Sequence, residues 1–496
     1  MTRPVKKVVI AGGGTAGWCA AVALSRILGP LLDITLVESD DIGIVGVGEA
    51  TIPTVRTFHQ IVGIDEREFL RATNGTFKLA IAFENWAKQG DRYLHAFGSV
   101  GKSTWLAPFH HVWLQAKSEG YGGSLMDYCL EHQAAEAGKF QLSQGGGLNY
   151  AYHFDAGLYG QFLRKLSEKQ GVKRIEGRIT QVDQDAESGF VTALRLESGK
   201  VIEGDLFIDC TGFRGLLIEE TLKTGYEDWT QWLPMDRAVA VQTQAHGPLN
   251  PYTRAIAHDA GWRWRIPLQN RVGNGLVYSS AYISDDAARA QLLGALDAPT
   301  LVEPRVIRFV TGRRRKTWNK NVITLGLSSG FVEPLESTSI HLFQIGVTRL
   351  TQMFPFNGIT DTLVNHFNKL ALDELEMVRD FVILHYKANR RDDSPFWRDR
   401  QAMTVPDSLT HRIKVFEENA IVWQASGELF RLDSWLQVML GQRINPTGWH
   451  RLGKLMKRQQ AEGVFQDMKV HIDRTVAGML SHEAFLRQHL GLTNRT

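Results

Sequence analysis

Cysteine is scarce in this chain. Cys19, Cys129 and Cys210 are the only three in 496 residues, which excludes a disulfide framework and a paired-cysteine metal site and fits a reducing cytoplasm. Long apolar runs are missing too: no stretch reaches the roughly 18 apolar residues of a membrane span, so no membrane partner is expected. Neither sign of charge is in excess, and a formal net charge of +3 is too small to imply a nucleic-acid partner. The one basic run, Arg313 to Lys316, reads as a solvated turn before an apolar strand from Asn321 to Leu325. No HExxH or Ser-His-Asp pattern stands out, so metal and acyl-transfer chemistries lack a foothold. Internal repeats and low-complexity linkers are also absent. Basic residues followed by an apolar run look superficially like a signal peptide, but a glycine-rich core without a clean cleavage site argues against one. What remains is an ordinary globular composition in a chain long enough for about two or three domains.

The rest of the chain is arranged around Gly12 to Gly17, which reads Gly-Gly-Gly-Thr-Ala-Gly. Before it, Val5 to Ala11 is β-branched and apolar, as in a buried parallel strand; after it, Trp18 to Leu28 has no glycine or proline to break a helix. Strand, glycine turn and helix come in the order a dinucleotide site needs. Gly12 permits the tight turn, Gly14 lets the backbone approach a pyrophosphate, and Gly17 lets helix pack on strand. Phosphates would lie on the helix N-terminus. A second strand, Ile34 to Val37, ends in Glu38, at roughly the spacing of about 20 residues expected for an acid that takes the ribose hydroxyls.

Several later stretches admit two readings. Ile44 to Pro53 is a glycine-spaced loop, either a connection or a segment lying against the cofactor. From Thr76 to Trp86 the chain alternates: Phe77, Leu79, Ile81 and Phe83 form a core face, and Lys78, Ala80, Ala82 and Glu84 the other. On pattern alone Lys78 is a solvated lysine; the other reading sets its ammonium over a hollow. Tyr93, His95 and Phe97 share one side, as aromatic core or as a flat slot for a planar substrate. Tyr152 to Ala156 is expected to open a helix through Leu166, followed by a strand around Ile179 and a hairpin from Val191 to Ile202. The strand Leu206 to Asp209 runs into Cys210-Thr211-Gly212, a second close approach of backbone to the nucleotide that favours FAD over a nicotinamide. In Gly261 to Pro267, period two aligns Trp262, Trp264 and Ile266, with Pro267 ending the strand; core packing and a substrate wall are both open. Ser337-Thr338-Ser339 precedes an apolar helix, where capping explains it, and where exposed N–H groups also make a small-anion site beside Glu336. Beyond about residue 345 the reading is mainly helical: Leu370 to Tyr386, Ser408 to Asn419, Asp433 to Leu440, Trp449 to Gln460 and Thr475 to His489.

Together these residues resemble the flavin-dependent tryptophan and indole halogenases over nearly the first 400 residues, including Gly12 to Trp18, Gly46 to Thr54, Thr76 to Trp86, Tyr152 to Ala156, Gly326 to Ile340 and His385 to Trp397. Trp262, Trp264, Ile266 and Pro267 satisfy the family's WxWxIP strand. The resemblance implies that Lys78 is the catalytic lysine, Glu336 the catalytic glutamate, and Thr338 with Ser339 the pair whose amides hold the halide; the family usually has glycine where Ser339 stands. It implies FAD, supplied in reduced form by a separate reductase, with chloride or bromide as co-substrate and hypohalous acid as the oxidant that reaches Lys78. His95 and Phe97 match residues lining the indole. Gly12, Gly14, Thr15, Ala16, Gly17, Glu38, Ala50, Ile179, Leu335 and Ile340 make up the expected flavin contacts. The region from about Phe416 to Trp449 lacks the family's clamp on the amino-acid part of tryptophan, so the partner is expected to be a small indole-type aromatic rather than tryptophan itself. A homodimer is the family precedent.

The expected architecture is α/β: a doubly wound, Rossmann-type FAD module over residues 1–345, built from discontinuous segments with interleaved β-sheet and the substrate-wall strands inserted, and a largely helical substrate module over 346–496. An FAD-dependent aromatic monooxygenase is the alternative, favoured by the fold and opposed by Lys78, Glu336 and the tryptophan strand.

Overall fold

Four consecutive apolar residues, three of them β-branched, suit a strand covered on both faces, and Val8, Val9, Ile10 and Ala11 are all at most 1% exposed. In a computed structural model describing residues 4–42, 48–103, 107–142 and 147–492, they form the strand Lys7–Ala11. It lies inside a six-stranded sheet ordered Trp318–Asn319, Val322–Thr324, Leu206–Asp209, Lys7–Ala11, Asp33–Glu38 and Lys173–Glu176. All pairings are parallel except that of the outermost Trp318–Asn319. Because the chain leaves Lys7–Ala11 for Asp33–Glu38 on one side and returns as Leu206–Asp209 on the other, Gly12 sits at a topological switch point, where such sheets bind ligands. Residues 44–47 of the loop expected beside the cofactor lie outside the described residues.

The chain divides into two units of three segments each: Met1–Gly75, Phe154–Arg237 and Ile307–Glu376 in the first, Thr76–His153, Ala238–Val306 and Met377–Thr496 in the second. This differs from the expected single boundary near residue 345. Helices after Glu376 group with strands from the middle of the chain, because an amphipathic helix needs an apolar sheet face to bury its own.

In the second unit, six consecutive strands of the main sheet run Arg237–Gln244, Arg271–Tyr278, Gly261–Pro267, Tyr252–His258, Ala80–Glu84 and Arg92–Ala96. The tryptophan strand Gly261–Pro267 is thus central and buried on both faces, so Arg263 and Arg265, opposite the indoles, are buried as well. The continuous strand expected over Thr76–Trp86 is two strands. The chain changes sheets at Leu79: Thr76–Lys78 pairs antiparallel with Ala151–His153, whereas Ala80–Glu84 joins the main sheet.

Other expectations shift for local reasons. Tyr152 and His153 belong to the strand Ala151–Asp155, and the helix Ala156–Lys169 begins only where the Asp155 side chain accepts from Leu158 N. Arg313 and Arg314 are not a solvated turn but part of the strand Gly312–Arg314, paired with Glu227 and Glu219. In place of a helix from Trp449 there is a 3-10 turn, Arg451–Leu455, then the helix Arg458–Ala477. The short strand Leu480–Ser481 separates that helix from His482–Leu490, so the single helix expected from Thr475 is absent. Among the described residues no helix is long and apolar enough to cross a membrane.

Candidate functional site

Close packing dictates the glycines of the first unit. Gly12 has φ of +107°, and a Cβ there would overlap the Cys210 carbonyl; a Cβ on Gly17 would overlap the Gly12 carbonyl. Gly14 is different: nothing lies within 4 Å of its Cβ position. It is also the N-cap of the helix Thr15–Leu28, with no side-chain cap and no acid in the first turn. Open space beside uncapped N–H groups at the positive end of a 14-residue helix suits a pyrophosphate. A Cβ on Gly13 would meet the Glu38 carboxylate, whose Oε1 accepts from Arg174 Nε at 2.6 Å. Glu38 therefore stands beside the glycine turn with one oxygen fixed. Thr15 Oγ1 donates to Ala156 O at 3.3 Å. Ala16 faces Gly326, where any larger residue would press on it. The FAD expected here fits these residues. Ala50 is buried at the end of Gly48–Ala50. Ile179 begins the strand Ile179–Gln184 and packs on the core cluster that contains Val9, Val37 and Phe207.

The turn expected to hold an anion lies in the same unit. Pro334–Glu336 is a single 3-10 turn, Ser337 takes a left-handed conformation at φ +58°, and the helix Ser339–Gln352 follows. Leu335, Glu336, Thr338 and Ile340 are buried, and Ser339 is half-buried. Thr338 is the N-cap by position but does not cap: its Oγ1 is buried without a hydrogen-bond partner among the described residues. Ordinary capping therefore does not explain the Ser-Thr-Ser run. The helix Ser339–Gln352 packs on Thr15–Leu28, so the Ser337–Ser339 turn and the glycine turn begin two neighbouring helices.

Sequence reasoning missed the residues that hold these turns. Asp209 is fully buried and accepts four bonds: from Thr211 N and Oγ1 at one oxygen, and from Leu217 and Ile218 N at the other. An acid closing an apolar strand was the available signal. His341, in the first turn of Ser339–Gln352, meets Thr54 Oγ1 at 3.0 Å through Nδ1 and faces Glu374 at 3.3 Å through Nε2. Burial pushes the Glu374 carboxyl up, but His341 and Arg349 outweigh it and hold it below its ordinary value.

In the second unit Lys78 is fully buried, and its ammonium lies 5.2 Å from the centre of the Phe97 ring. The solvated reading of this lysine is wrong. On the same strand Thr76 Oγ1 donates to Pro267 O at 2.8 Å and meets His153 Nδ1 at 3.1 Å, which ties the end of the tryptophan strand to that of the lysine. Burial, then the Lys78 charge, push His153 well down and keep it neutral. Trp262 and Trp264 are buried with ring centres 6.2 Å apart, and Trp264 lies across Gly275, which has no side chain to obstruct it. Ile266 and Pro267 complete the buried strand. His95 is buried among Phe97, Phe381 and Phe430, while Tyr93 stacks on Phe83 instead.

Several polar groups after residue 410 are engaged within the unit. Glu428 accepts from Arg412 and Ala425 N at one oxygen and from Trp435 Nε1 at the other. Gln437 pairs with both the N–H and the C=O of Ala96, Asp433 accepts from Val100 N, and Gln442 donates to His385 O.

The family model described as tryptophan halogenase matches residues 7–458. Tryptophan 6-halogenase SttH of Streptomyces toxytricini is 37% identical over 442 residues, covering 83% of this chain and 84% of that protein. Among solved structures, Xcc4156, a flavin-dependent halogenase from Xanthomonas campestris, is similar with a TM-score of 0.97 and 51% identity over 98% of each chain. BrvH, a flavin-dependent halogenase from Brevundimonas sp. BAL3, is similar at 0.94 and 42% identity, over 98% of this chain and 99% of that one. The helix His482–Leu490 lies beyond the residues matched by the family model.

Proposed function

The chain belongs to the tryptophan halogenase family and is a flavin-dependent halogenase, and from that premise we propose that Lys78 and Glu336 deliver hypohalous acid to an indole-type substrate. Bound in reduced form, FAD supplies the oxygen activation that converts halide to hypohalous acid. Gly12 to Gly17 hold its pyrophosphate on the N-terminus of Thr15–Leu28, Glu38 takes the ribose hydroxyls, and Ala50, Ile179, Leu335 and Ile340 line the remainder. The amides of Thr338 and Ser339 hold chloride or bromide. The Lys78 ammonium hydrogen-bonds the hypohalous acid; a carbon of the substrate attacks the halogen, the oxygen–halogen bond breaks, and the oxygen leaves as water with a proton from Lys78. Glu336 takes the proton released as the ring regains aromaticity and so restores the balance. Trp262, Trp264, Ile266 and Pro267 wall the substrate from direct oxygen transfer, and His95 and Phe97 form its slot. A separate reductase serves the enzyme, which acts as a homodimer in a cytoplasmic setting.

The complete burial of Lys78 against an aromatic ring carries this reading. A buried ammonium is costly, and a position that retains one is a candidate for chemistry. The substrate follows from residues 412–442: Arg412, Glu428, Asp433, Gln437 and Gln442 are engaged with groups of the protein itself, which favours indole or a substituted indole over free tryptophan, whose ammonium and carboxylate both need fixed partners. Products made from equal indole and tryptophan, with bromide, with chloride and without halide, test it by mass. Halogenated indole with little halogenated tryptophan is expected. A hydroxylated product independent of halide would establish the monooxygenase instead, and clear preference for tryptophan would show a clamp elsewhere.

A further inference from the structure

Thr76–Lys78 is a three-residue edge strand, paired on one side only with Ala151–His153. An edge strand this short holds its register weakly, yet it carries the lysine on which the proposed reaction turns. Its outward backbone groups are satisfied from elsewhere. The N–H of Leu79 donates to Pro251 O at 2.7 Å. The N–H of Phe77 donates at 3.1 Å to Nε2 of His482, and Nδ1 of the same imidazole donates at 2.7 Å to Leu249 O. The amides on either side of Lys78 are thus both tied to the segment 249–251, one directly and one through a histidine.

That histidine is itself fixed. It is fully buried, the first residue of His482–Leu490, and its own N–H donates to Gly138 O at 2.8 Å. Ser481 caps the helix through Ala484 N, and Leu480–Ser481 pairs with Lys139–Phe140. Phe140 stacks on Phe77 at 4.1 Å, and Phe485 and His489 of the same helix approach the other edges of that ring. Because Nε2 accepts from an amide while Nδ1 donates to a carbonyl, only the neutral tautomer serves both bonds.

We propose that His482 is a positioning residue for Lys78, and that the helix His482–Leu490 braces the lysine strand through it. This rests on the reading that Lys78 handles the oxidant. A strand free to shift would leave flavin binding and oxygen consumption intact but would misplace the ammonium, so oxidant would escape.

The full-length enzyme with reduced FAD and bromide tests it in three chains: wild type, His482→Leu and His482→Gln, the last keeping one donor and one acceptor. Amide exchange over 76–79 reports the brace without reference to chemistry. Halogenated indole per oxygen consumed, with a diketone scavenger collecting escaped oxidant, reports its bearing on Lys78. The Phe77 amide is expected to be protected in the wild type, to exchange roughly tenfold faster in His482→Leu, as loss of about one net hydrogen bond implies, and to be partly restored in His482→Gln. Product per oxygen falls in the same order, scavenged halogen rises, and flavin affinity stays constant. An unprotected wild-type Phe77 amide, or unchanged exchange in both variants, overturns the brace. Faster exchange with unchanged product per oxygen overturns its role in catalysis. Failure of the lysine reading shows separately, as halogenation retained by Lys78→Ala.

Discussion

The two units build their sites from different material. In the first, the proposed nucleotide cradle is main chain: Gly12 and Gly17 let backbone touch backbone, Gly14 leaves space, and buried Asp209 holds the amides of Thr211, Leu217 and Ile218. In the second, the proposed site is side chain: Lys78, Phe97, Trp262, Trp264 and His95, on elements that bond to residues as distant in sequence as His482. A backbone site tolerates most side chains but few changes of local shape. A side-chain site depends on packing across the whole unit, and on the protonation of what is packed.

The largest effect that tests this contrast belongs to Lys78→Ala. Substrate halogenation is expected to fall by roughly a hundredfold or more, while flavin binding and flavin reoxidation, properties of the first unit, stay unchanged. Substantial retained halogenation would remove the lysine from the mechanism.

Acid should separate the units next. Burial depresses His110, His132 and His153 in the second unit, and pushes His111, His258 and His482 down to about 4 each. In the first unit only His59 is depressed among the described residues, to about 3, while burial pushes Glu49 up to about 8. A depressed histidine takes its proton in the unfolded chain first, so its stability is complete above about pH 6.5 and is lost as pH falls toward the folded value. For His482, between 6.5 and about 4, this loss is about 3 kcal/mol. Glu131, raised by burial, offsets a part in the second unit. Amide exchange against pH should therefore show the tryptophan sheet losing protection before the sheet around Lys7–Ala11; the reverse order would contradict the assignment.

Two glycines two positions apart sharpen the comparison within the first unit. Gly12→Ala should cost about 2 kcal/mol and lower the melting temperature, because its φ and the Cys210 carbonyl both exclude a side chain. Gly14→Ala should leave melting unchanged and weaken FAD binding by about tenfold, since its methyl enters only the open space. Equal melting losses in both would mean that this space is not reserved for the cofactor. The smallest effect concerns the halide. A few fixed amides discriminate weakly between anions, and bromide is more easily desolvated and oxidised, so bromination is expected to exceed chlorination a few-fold at matched concentrations. Chloride winning that competition would contradict a loose site at Thr338 and Ser339.

The same contrast explains what could be read in the sequence. Strand, glycine turn, helix and Glu38 were legible because a backbone site is written in consecutive residues. The tryptophan strand was legible because period two survives burial. Lys78 was not: alternation places it on a polar face, and only the change of sheet at Leu79 buries it. His153 was misread into a helix, because the strand that requires it, Thr76–Lys78, lies 75 or more positions earlier. Arg313 and Arg314 looked solvated because their partners lie 86 and 95 residues away. The strand Lys173–Glu176, charged at three of four positions, carries no apolar signal and is recognised only by its neighbour Asp33–Glu38.

One pairing bears on how the molecule behaves among its copies. Arg92–Ala96 is the outer strand of its sheet, and an outer strand with open N–H and C=O groups is a template for strands of other chains. A primary amide offers the same donor and acceptor as a peptide group, and Gln437 places one against Ala96 as a further strand would. At Ala96 the sheet edge is therefore closed by a side chain that imitates backbone but cannot be extended. Replacing Gln437 with leucine keeps the helix Leu432–Gly441 apolar on that face and leaves the N–H and C=O of Ala96 open to a strand of another chain.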